Sequence, residues 1–296
     1  MSAKFEVLAP GPSATVQDLG RPGFASLGVG RSGAADRRSF RLANRLVGNP
    51  EENAAIEATF GGLAVRFSEP ALVAFTGAAC GIRVGCRAAG MSAPIQVCAG
   101  EELRLSVPVS GLRTYLAVRG GVDVTPVLRA RATDTLAKLG PPALSAGMTL
   151  PIGDRVLGYP VMDLVPQPAF PEELLLRVAA GPRLDWFVPR TLEELTSTEY
   201  TVTTDVDRVG IRLAGRALRR SREGELPPEA CVPGALQVPP SGKPILFLAD
   251  HPVTGGYPVV AVVDDHGIDL AAQARPGQRL RFELKSSVHG RSALLA

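Results

Sequence analysis

Glycine and proline punctuate this chain more heavily than any other feature. Its 296 residues include 32 glycines and 26 prolines, close to a fifth of all positions against roughly 12% in average usage, and they are scattered without a period. Each weakens or ends a helix interior, and both suit tight turns. Long helical bundles are therefore disfavoured, and a fold of many short strands is expected. With 45% hydrophobic and 21% charged positions, the chain collapses around a core instead of staying disordered. Its length accommodates one large or two ordinary domains.

Two early helices interrupt the strand pattern. Asp36 is a candidate N-cap for a helix whose Phe40, Ala43, Leu46 and Val47 share one face, with Gly48 as the stop. Asn49 caps a second, opened by Pro50, with Glu51 and Glu52 near its positive end, finishing before Gly61-Gly62. The expectation is a helical hairpin, or one helix and a single turn. From Leu63 onward the apolar runs are short: 63–67, 71–75, 81–84, 95–97, 103–107 and 114–118. Val65 and Phe67, and Leu103, Leu105 and Val107, alternate at period two, as in half-buried antiparallel strands.

The stretch 158–173 holds four prolines and no periodicity, so it reads as a linker between an N-terminal domain (1–157) and a C-terminal one (174–296). The second half brings runs at 174–178, 200–203, 209–213, 235–238, 244–248, 259–263 and 279–282, with a short helix around 191–195. QVCAGEELRLSV at 96–107 and QARPGQRLRFEL at 273–284 echo each other, as they do if each half copies one β unit. Chance recurrence of hairpin chemistry is the competing explanation.

Several function classes fall away. The net charge of +3 is too small to imply a nucleic-acid or membrane surface. The densest basic stretch, Arg212, Arg216, Arg219, Arg220 and Arg222, is a solvated loop face or a phosphate contact. Cys80, Cys86, Cys98 and Cys231 form no C-x-x-C pair and read as reduced thiols. His251, His266 and His289 are too dispersed for a zinc site, so no metal is expected. Residues 1–12 lack the pattern of a signal peptide, and no run approaches the ~18 apolar residues of a membrane span; a cytoplasmic protein is the default. P-loop, G-x-S-x-G, H-E-x-x-H and dinucleotide-binding patterns are missing from the sequence.

Three segments concentrate polar groups among glycines, as where backbone approaches a ligand or partner closely. In Thr15–Gly23 with Ser32–Asp36, Asp18 and Arg21 can pair to fix a turn, or aim a guanidinium at a carboxylate or phosphate. Arg119–Asp123 with Arg131–Asp134 reads as a salt-bridge cluster or a site edge. The third, Cys231–Pro240 with Ala249–Pro258, is the best site candidate. Gln237 offers donor and acceptor, Asp250 and His251 a possible acid/base pair, Thr254 and Tyr257 hydroxyls, and Gly255-Gly256 open amides. Adjacent residues on a strand point to opposite faces, so Asp250 and His251 need not act together.

These segments also carry a resemblance. PGPSATVQDLGRPGFASLGVGRSGAAD, RLANRLVGNPEENAAIEATFGG, TYLAVRGGVDVTPVL, DRVGIRL, VPGALQVPPSGKPILFLADHPVTGGYP and ARPGQRLRF resemble, in order, the allophanate hydrolase subunit 2 or biotin-dependent carboxyltransferase-like family, which includes the Kip inhibitor antagonist and the C component of 5-oxoprolinase. The resemblance implies a mainly β chain of two tandem cyclophilin-like β-barrel domains. It implies a companion of the Kip inhibitor or allophanate hydrolase subunit 1 type, and a third, lactam-utilisation-type subunit. The implied reaction is ATP-driven opening of 5-oxoproline to glutamate, in a complex whose ATP site is unknown and whose isolated C component is inactive.

Two alternatives come with the family. One is a carboxyltransferase component of a urea carboxylase-like enzyme, with biotin riding on another chain; the other is a non-catalytic antagonist of a kinase inhibitor. On this chain the expected site has Asp250 or His251 as catalytic base and Asp18, Arg21, Arg208, Gln237, Thr254, Gly255, Gly256 and Tyr257 as the expected contacts of a small amide substrate. The chain departs from the family pattern at Leu128–Asp134, where a smaller run is expected, and at Val209 and Ile211. Arg129 there can fill or recharge the pocket edge, which puts the substrate in question more than the fold.

Overall fold

The computed structural model describes residues 3–285 except 168 and 225. Eleven strands build the first half: β1 (Lys4–Pro10), β2 (Ser13–Gln17), β3 (Ala55–Thr59), β4 (Leu63–Phe67), β5 (Ala71–Ala79), β6 (Ile82–Val84), β7 (Arg87–Ala89), β8 (Pro94–Val97), β9 (Glu102–Leu105), β10 (Ser110–Val118) and β11 (Thr149–Pro151). They form a six-stranded sheet, β11-β1-β4-β9-β6-β7, and a five-stranded sheet, β2-β3-β10-β5-β8. Phe5, Val7, Ile56, Phe67, Phe75, Leu103 and Leu116 fill the space between. The mainly β class is as expected, and this half encloses its core between the two sheets.

One helix, α1 (Arg37–Leu46), covers the outer face of the five-stranded sheet. The Asp36 carboxylate caps it by accepting from Ser39 N at 2.9 Å. Phe40, Ala43, Leu46 and Val47 pack on Ala55, Ala74, Tyr115 and Ala117. Strand β10 is therefore buried on both faces, with Leu116 and Val118 toward the core between the sheets and Tyr115 and Ala117 under α1.

Of the two expectations for the segment after Asn49, the second helix does not form and the single turn does. Residues 51–53 make a single turn, and 55–59 are strand β3, paired with both β2 and β10. Asparagine amides hold the backbone there: Asn44 Nδ2 donates to Asn53 O at 2.8 Å and Asn49 Nδ2 to Val118 O at 2.8 Å. Such side-chain bonds compete with the helical ladder.

The second half contains β12 (Glu173–Ala180), β13 (Tyr200–Val206), β14 (Gly210–Ala214), β15 (Glu229–Ala230), β16 (Ala235–Gln237), β17 (Ile245–Phe247), β18 (Thr254–Gly255), β19 (Val259–Val263) and β20 (Arg279–Leu284), with helices α2 (Thr191–Ser197) and α3 (Asp265–Ala271). Seven of these strands close a barrel, β12-β19-β16-β17-β14-β13-β20, sealed by the parallel pair β12 and β20. Leu174, Leu176, Val178, Leu280 and Phe282 point inward, and Leu175, Arg177 and Arg281 outward. Each such buried aliphatic or aromatic side chain contributes roughly 1.5–3 kcal/mol.

The internal echo is a shared turn. Gly100 and Gly277 both adopt positive φ, +77° and +83°. Cys98 N donates to Glu101 Oε2 at 2.7 Å, and Arg275 N to Gln278 Oε1 at 3.1 Å. Gly100 N bonds Phe67 O and Gly277 N bonds Val202 O, both at 2.8 Å. The corresponding Leu103 and Leu280 are fully buried.

Gln273 stitches the halves together. Strand β10 breaks register between Ser110 and Thr114, and there the Gln273 amide takes the place of a strand neighbour. Its Oε1 accepts from Leu112 N and Arg113 N at 2.8 Å, while Nε2 donates to Arg113 O at 3.0 Å and Asp36 Oδ2 at 2.7 Å. Every polar valence of the amide is used.

Candidate functional site

A buried polar network lies where the two halves meet. Asp207, in the bend between β13 and β14, accepts from Val209 N (2.7 Å) and Gly210 N (3.0 Å) through Oδ1, a turn that throws the neighbouring Arg208 side chain inward. Arg208 grips Asp250 side-on, Nε to Oδ2 and Nη2 to Oδ1, both at 3.0 Å. Its Nη1 bonds Glu57 of β3, and Nη2 also reaches Gly33 O at 2.6 Å. Ser32 Oγ (2.6 Å), Thr135 N (2.9 Å) and Thr135 Oγ1 (2.8 Å) complete the shell of Asp250.

Glu57 is only 1% exposed. Its Oε2 accepts from Ala35 N (3.0 Å) and Tyr115 OH (2.8 Å), and Arg113 Nε lies 3.4 Å from Oε1. Burial pushes the Glu57 carboxyl up, but Arg208 and Arg113 outweigh it and hold the group below its ordinary range. The same contest ends the same way at Asp250, with Arg208 opposing burial. Both are carboxylates, and Arg208, raised by them against its own desolvation, is a fixed cation.

Asp250 thus has five donor contacts, two from Arg208, two from Thr135 and one from Ser32. That occupancy suits a residue that positions others more than one that takes up a proton.

His251 is differently placed. Its Nδ1 lies 2.8 Å from Pro252 O; a carbonyl only accepts, so Nδ1 carries the hydrogen and Nε2 is the acceptor. The ring stacks on Phe247, centroids 5.9 Å apart and planes 20° inclined. Burial lowers its pKa below the ordinary 6.5, which keeps the imidazole neutral at pH 7. Among the described residues, the Asp250 and His251 side chains share no hydrogen bond.

His251 faces a cleft of about 180 Å³ whose wall includes Arg21, Phe24, Arg31, Cys231 and Val253. The anticipated Asp18–Arg21 pair is not formed. The Asp18 carboxylate accepts from Gly20 N (2.7 Å) and Arg131 N (2.5 Å), closing its own loop. Arg21 instead bonds Ala132 O and lies 3.7 Å from Asp134. Of the second cluster, Arg131 pairs Asp123 at 2.7 Å, and Arg119 holds Val47 O and Gly158 O.

The remaining candidates stand behind Cys231. Gln237 Nε2 donates to Tyr257 O at 3.2 Å and contacts Cys231 Sγ at 3.6 Å. Thr254 and Gly255 form the β18 side of a two-stranded ribbon with β15, with Thr254 exposed. A Cβ on Gly255 would stand 2.5 Å from Gln237 Nε2, so a larger residue there would displace the Gln237 amide. Gly256 O accepts from Leu226 N at 2.9 Å. Burial, with Glu229 adding to it, pushes the Cys231 thiol above its ordinary pKa, so it is no ready nucleophile.

Reasoning from sequence missed Glu57, Arg113, Thr135 and Gln273. The one available signal was an acidic residue inside the apolar strand run AAIEAT. Among the described residues, no group of three or more His, Cys, Asp or Glu side chains is placed to hold a metal ion, and no helix is long and apolar enough to cross a membrane.

The carboxyltransferase domain family, subdomain A and B, matches residues 27–284. This chain belongs to that family. Within the family, the C component of 5-oxoprolinase from Escherichia coli K12 is 34% identical over 282 residues, covering 94% of this chain and 90% of that protein. The crystal structure of TTHA0988 superposes with a TM-score of 0.86 at 34% identity, over 95% of this chain and 56% of that one. The K. lactis urea amidolyase gives a TM-score of 0.88 at 28% identity, over 95% of this chain and 18% of that one. This carboxyltransferase-family chain therefore spans about half of the first solved relative and less than a fifth of the second. The Ser32, Glu57, Arg208 and Asp250 network lies wholly within the matched region, whereas Arg21 precedes it.

Proposed function

We propose that this chain is the C component of an ATP-dependent 5-oxoprolinase, which converts 5-oxoproline, ATP and water to glutamate, ADP and phosphate. The observation that carries the reading is the 34% identity to the E. coli protein over nearly the full length of both chains. In this reading the enzyme is completed by a Kip-inhibitor-type companion and a lactam-utilisation-type subunit. A cleft of about 180 Å³ has no room for a nucleotide, so in this reading ATP binds outside that cleft.

The residues of this chain divide the work by their environments. Opening a lactam requires that the ring nitrogen gain a proton as the C–N bond breaks. His251 is the group suited to manage that proton, being neutral at pH 7, fixed at Nδ1 and free at Nε2. Asp250, Arg208 and Glu57 are positioning residues, clamping the two halves so that the cleft keeps its shape.

The test is 5-oxoproline-dependent ADP release by this chain purified with its two companions, each omitted in turn. Turnover that disappears without this chain is the expected result; undiminished turnover in its absence contradicts the proposal.

The likeness to urea amidolyase favours a second reading, carboxyl transfer to a small amide with biotin carried on another chain. A stable complex that ignores 5-oxoproline but carboxylates urea in the presence of a biotin carboxylase selects it.

A further inference from the structure

We infer that the cleft between α1 and α3, lined by Arg31, Arg37 and Arg41, binds a phosphate group. The inference stands on the cleft's own residues. It adds a place for phosphate to the function proposed above and does not depend on which reaction the assembled enzyme performs.

The cleft opens along the seam of the two halves and encloses about 360 Å³, within the roughly 300–1,000 Å³ of small-molecule pockets. Arg37 and Arg41 are four positions apart on α1 and so share a face, and Arg31 joins them from the preceding loop. Arg37 is half-buried. Its pKa is lowered by burial and by the like charges of Arg31 and Arg41, against the opposing pull of Asp269 and Asp265. All four of those charged residues line the cleft, so the Arg37 guanidinium looks into it.

Crowding like charges without partners costs free energy. Yet among the described residues none of the terminal nitrogens of these guanidiniums, Nη1 and Nη2, donates a hydrogen bond. Arg31 uses only Nε, to Leu19 O at 3.3 Å. Arg41 Nε lies 3.5 Å from Glu51, which Arg45 shares at 3.1 Å. Of Arg37 only the backbone N is engaged, with Asp269 Oδ1 at 2.8 Å. No Nη of Arg37 or Arg41 is a buried unpartnered atom, and Arg31 is exposed, so all three Nη1/Nη2 edges are open. That outer edge is where a guanidinium gives two parallel N–H bonds to an oxyanion.

The net charge of the cleft selects phosphate. Burial and the Asp36 carboxylate raise the Asp269 pKa to about 7, so at neutral pH Asp269 carries a proton part of the time and offers a hydroxyl donor. Asp265 is the other acidic wall residue. Three guanidiniums against that one fixed carboxylate leave two positive charges, which a phosphate dianion neutralises and a single carboxylate does not. Arg31 and Pro233 line both this cleft and the one faced by His251, so a phosphate held here stands beside the group proposed to manage the proton.

The phosphate has two sources, free phosphate or the end of a nucleotide. Calorimetric titration of the full chain at about 0.15 M salt separates them, with inorganic phosphate, ADP, adenosine and malonate as probes. Phosphate and ADP are expected to bind, and adenosine is not. ADP bound more tightly than phosphate assigns a nucleotide; ADP bound equally or more weakly assigns free phosphate. Arg37→Gln is expected to weaken both at least about tenfold, as the loss of a charge-assisted bond implies. The same substitution should not lower the thermal midpoint, because the guanidinium it removes has no partner in the described chain. Arg38→Gln, at an exposed neighbour that lines a different cavity, should leave both affinities within about twofold.

If Arg37→Gln fails to fold, Arg41→Gln takes its place with the same expected loss, and the wild-type titrations still decide. Absence of both phosphate and ADP binding to the wild-type chain overturns the site, as does an affinity unchanged by the arginine substitution. Malonate or adenosine bound as tightly as phosphate overturns the assignment to a phosphate group, whatever the complex turns over.

Discussion

Arg208 holds Asp250 with two 3.0 Å hydrogen bonds on one side and Glu57, 151 positions away in sequence, on the other. One guanidinium thereby ties a carboxylate of the closed barrel to a carboxylate of the two-sheet half. All three groups are buried, so the arrangement is stable only as a set: removing the cation leaves two desolvated negative charges.

Arg208→Met is expected to destabilise the chain by about 3–5 kcal/mol, read as a lowered midpoint of urea denaturation. Arg212→Met is the control. Arg212 is exposed and only 3.9 Å from an exposed Asp205, so its loss should cost less than about 0.5 kcal/mol. Equal effects of the two substitutions would mean that the interior ion cluster is not what joins the halves.

Stability should also depend on pH through Asp269 of α3. Burial, and secondarily the nearby Asp36 carboxylate, raise its pKa from 3.8 to about 7. Between about pH 4 and pH 7 the folded chain therefore holds a proton that the unfolded chain has released, so stability falls as pH rises across that window. Glu57 and Asp250, held low by Arg208, act in the opposite sense: their contribution is present above the ordinary carboxylate pKa and is lost on acidification. Asp269→Asn keeps an acceptor for Arg37 N, which donates to Asp269 Oδ1 at 2.8 Å, and should flatten the decline between pH 4 and 7. Parallel curves for variant and wild type would show that Asp269 does not set this pH dependence.

Three of the cysteines should separate by environment. Cys86 and Cys98 are exposed, whereas Cys231 is half-buried with its thiol pushed up by burial and Glu229. Iodoacetamide at neutral pH is expected to modify the first two quickly and Cys231 slowly, with turnover of the assembled enzyme retained after the fast phase. Rapid labelling of Cys231 with loss of turnover would instead make a thiolate beside His251 the reacting group.

Much of the fold was legible because it is written in local pattern. Alternation at Val65 and Phe67 or at Leu103 and Leu105 sets strands directly, and Asp36 announced α1. The failures have local causes too. Pro50-Glu51-Glu52 has the composition of a helix start, but asparagine side chains capture the backbone and β3 finds partners on both sides. Helix α3 escaped notice because Gly267 lies inside it and its apolar face is short.

The site was legible only in part. Arg208, Asp250, His251 and Arg21 do gather where the halves meet, yet their partners Glu57, Ser32, Thr135 and Ala132 come from distant segments. No local signature announces a contact across such separations. Asp18 and Arg21 show the converse: proximity in sequence suggested a pair, and each found a better partner elsewhere.

The role of His251 is decided by the pH–rate profile of 5-oxoproline-dependent ADP release by the assembled complex, with wild-type chain and with His251→Gln. The wild-type profile is expected to show an acid limb below pH 6.5, since burial lowers the His251 pKa. The variant is expected to lose roughly 10²–10⁴-fold in kcat, with assembly intact. An unchanged kcat and acid limb in His251→Gln would contradict this mechanism.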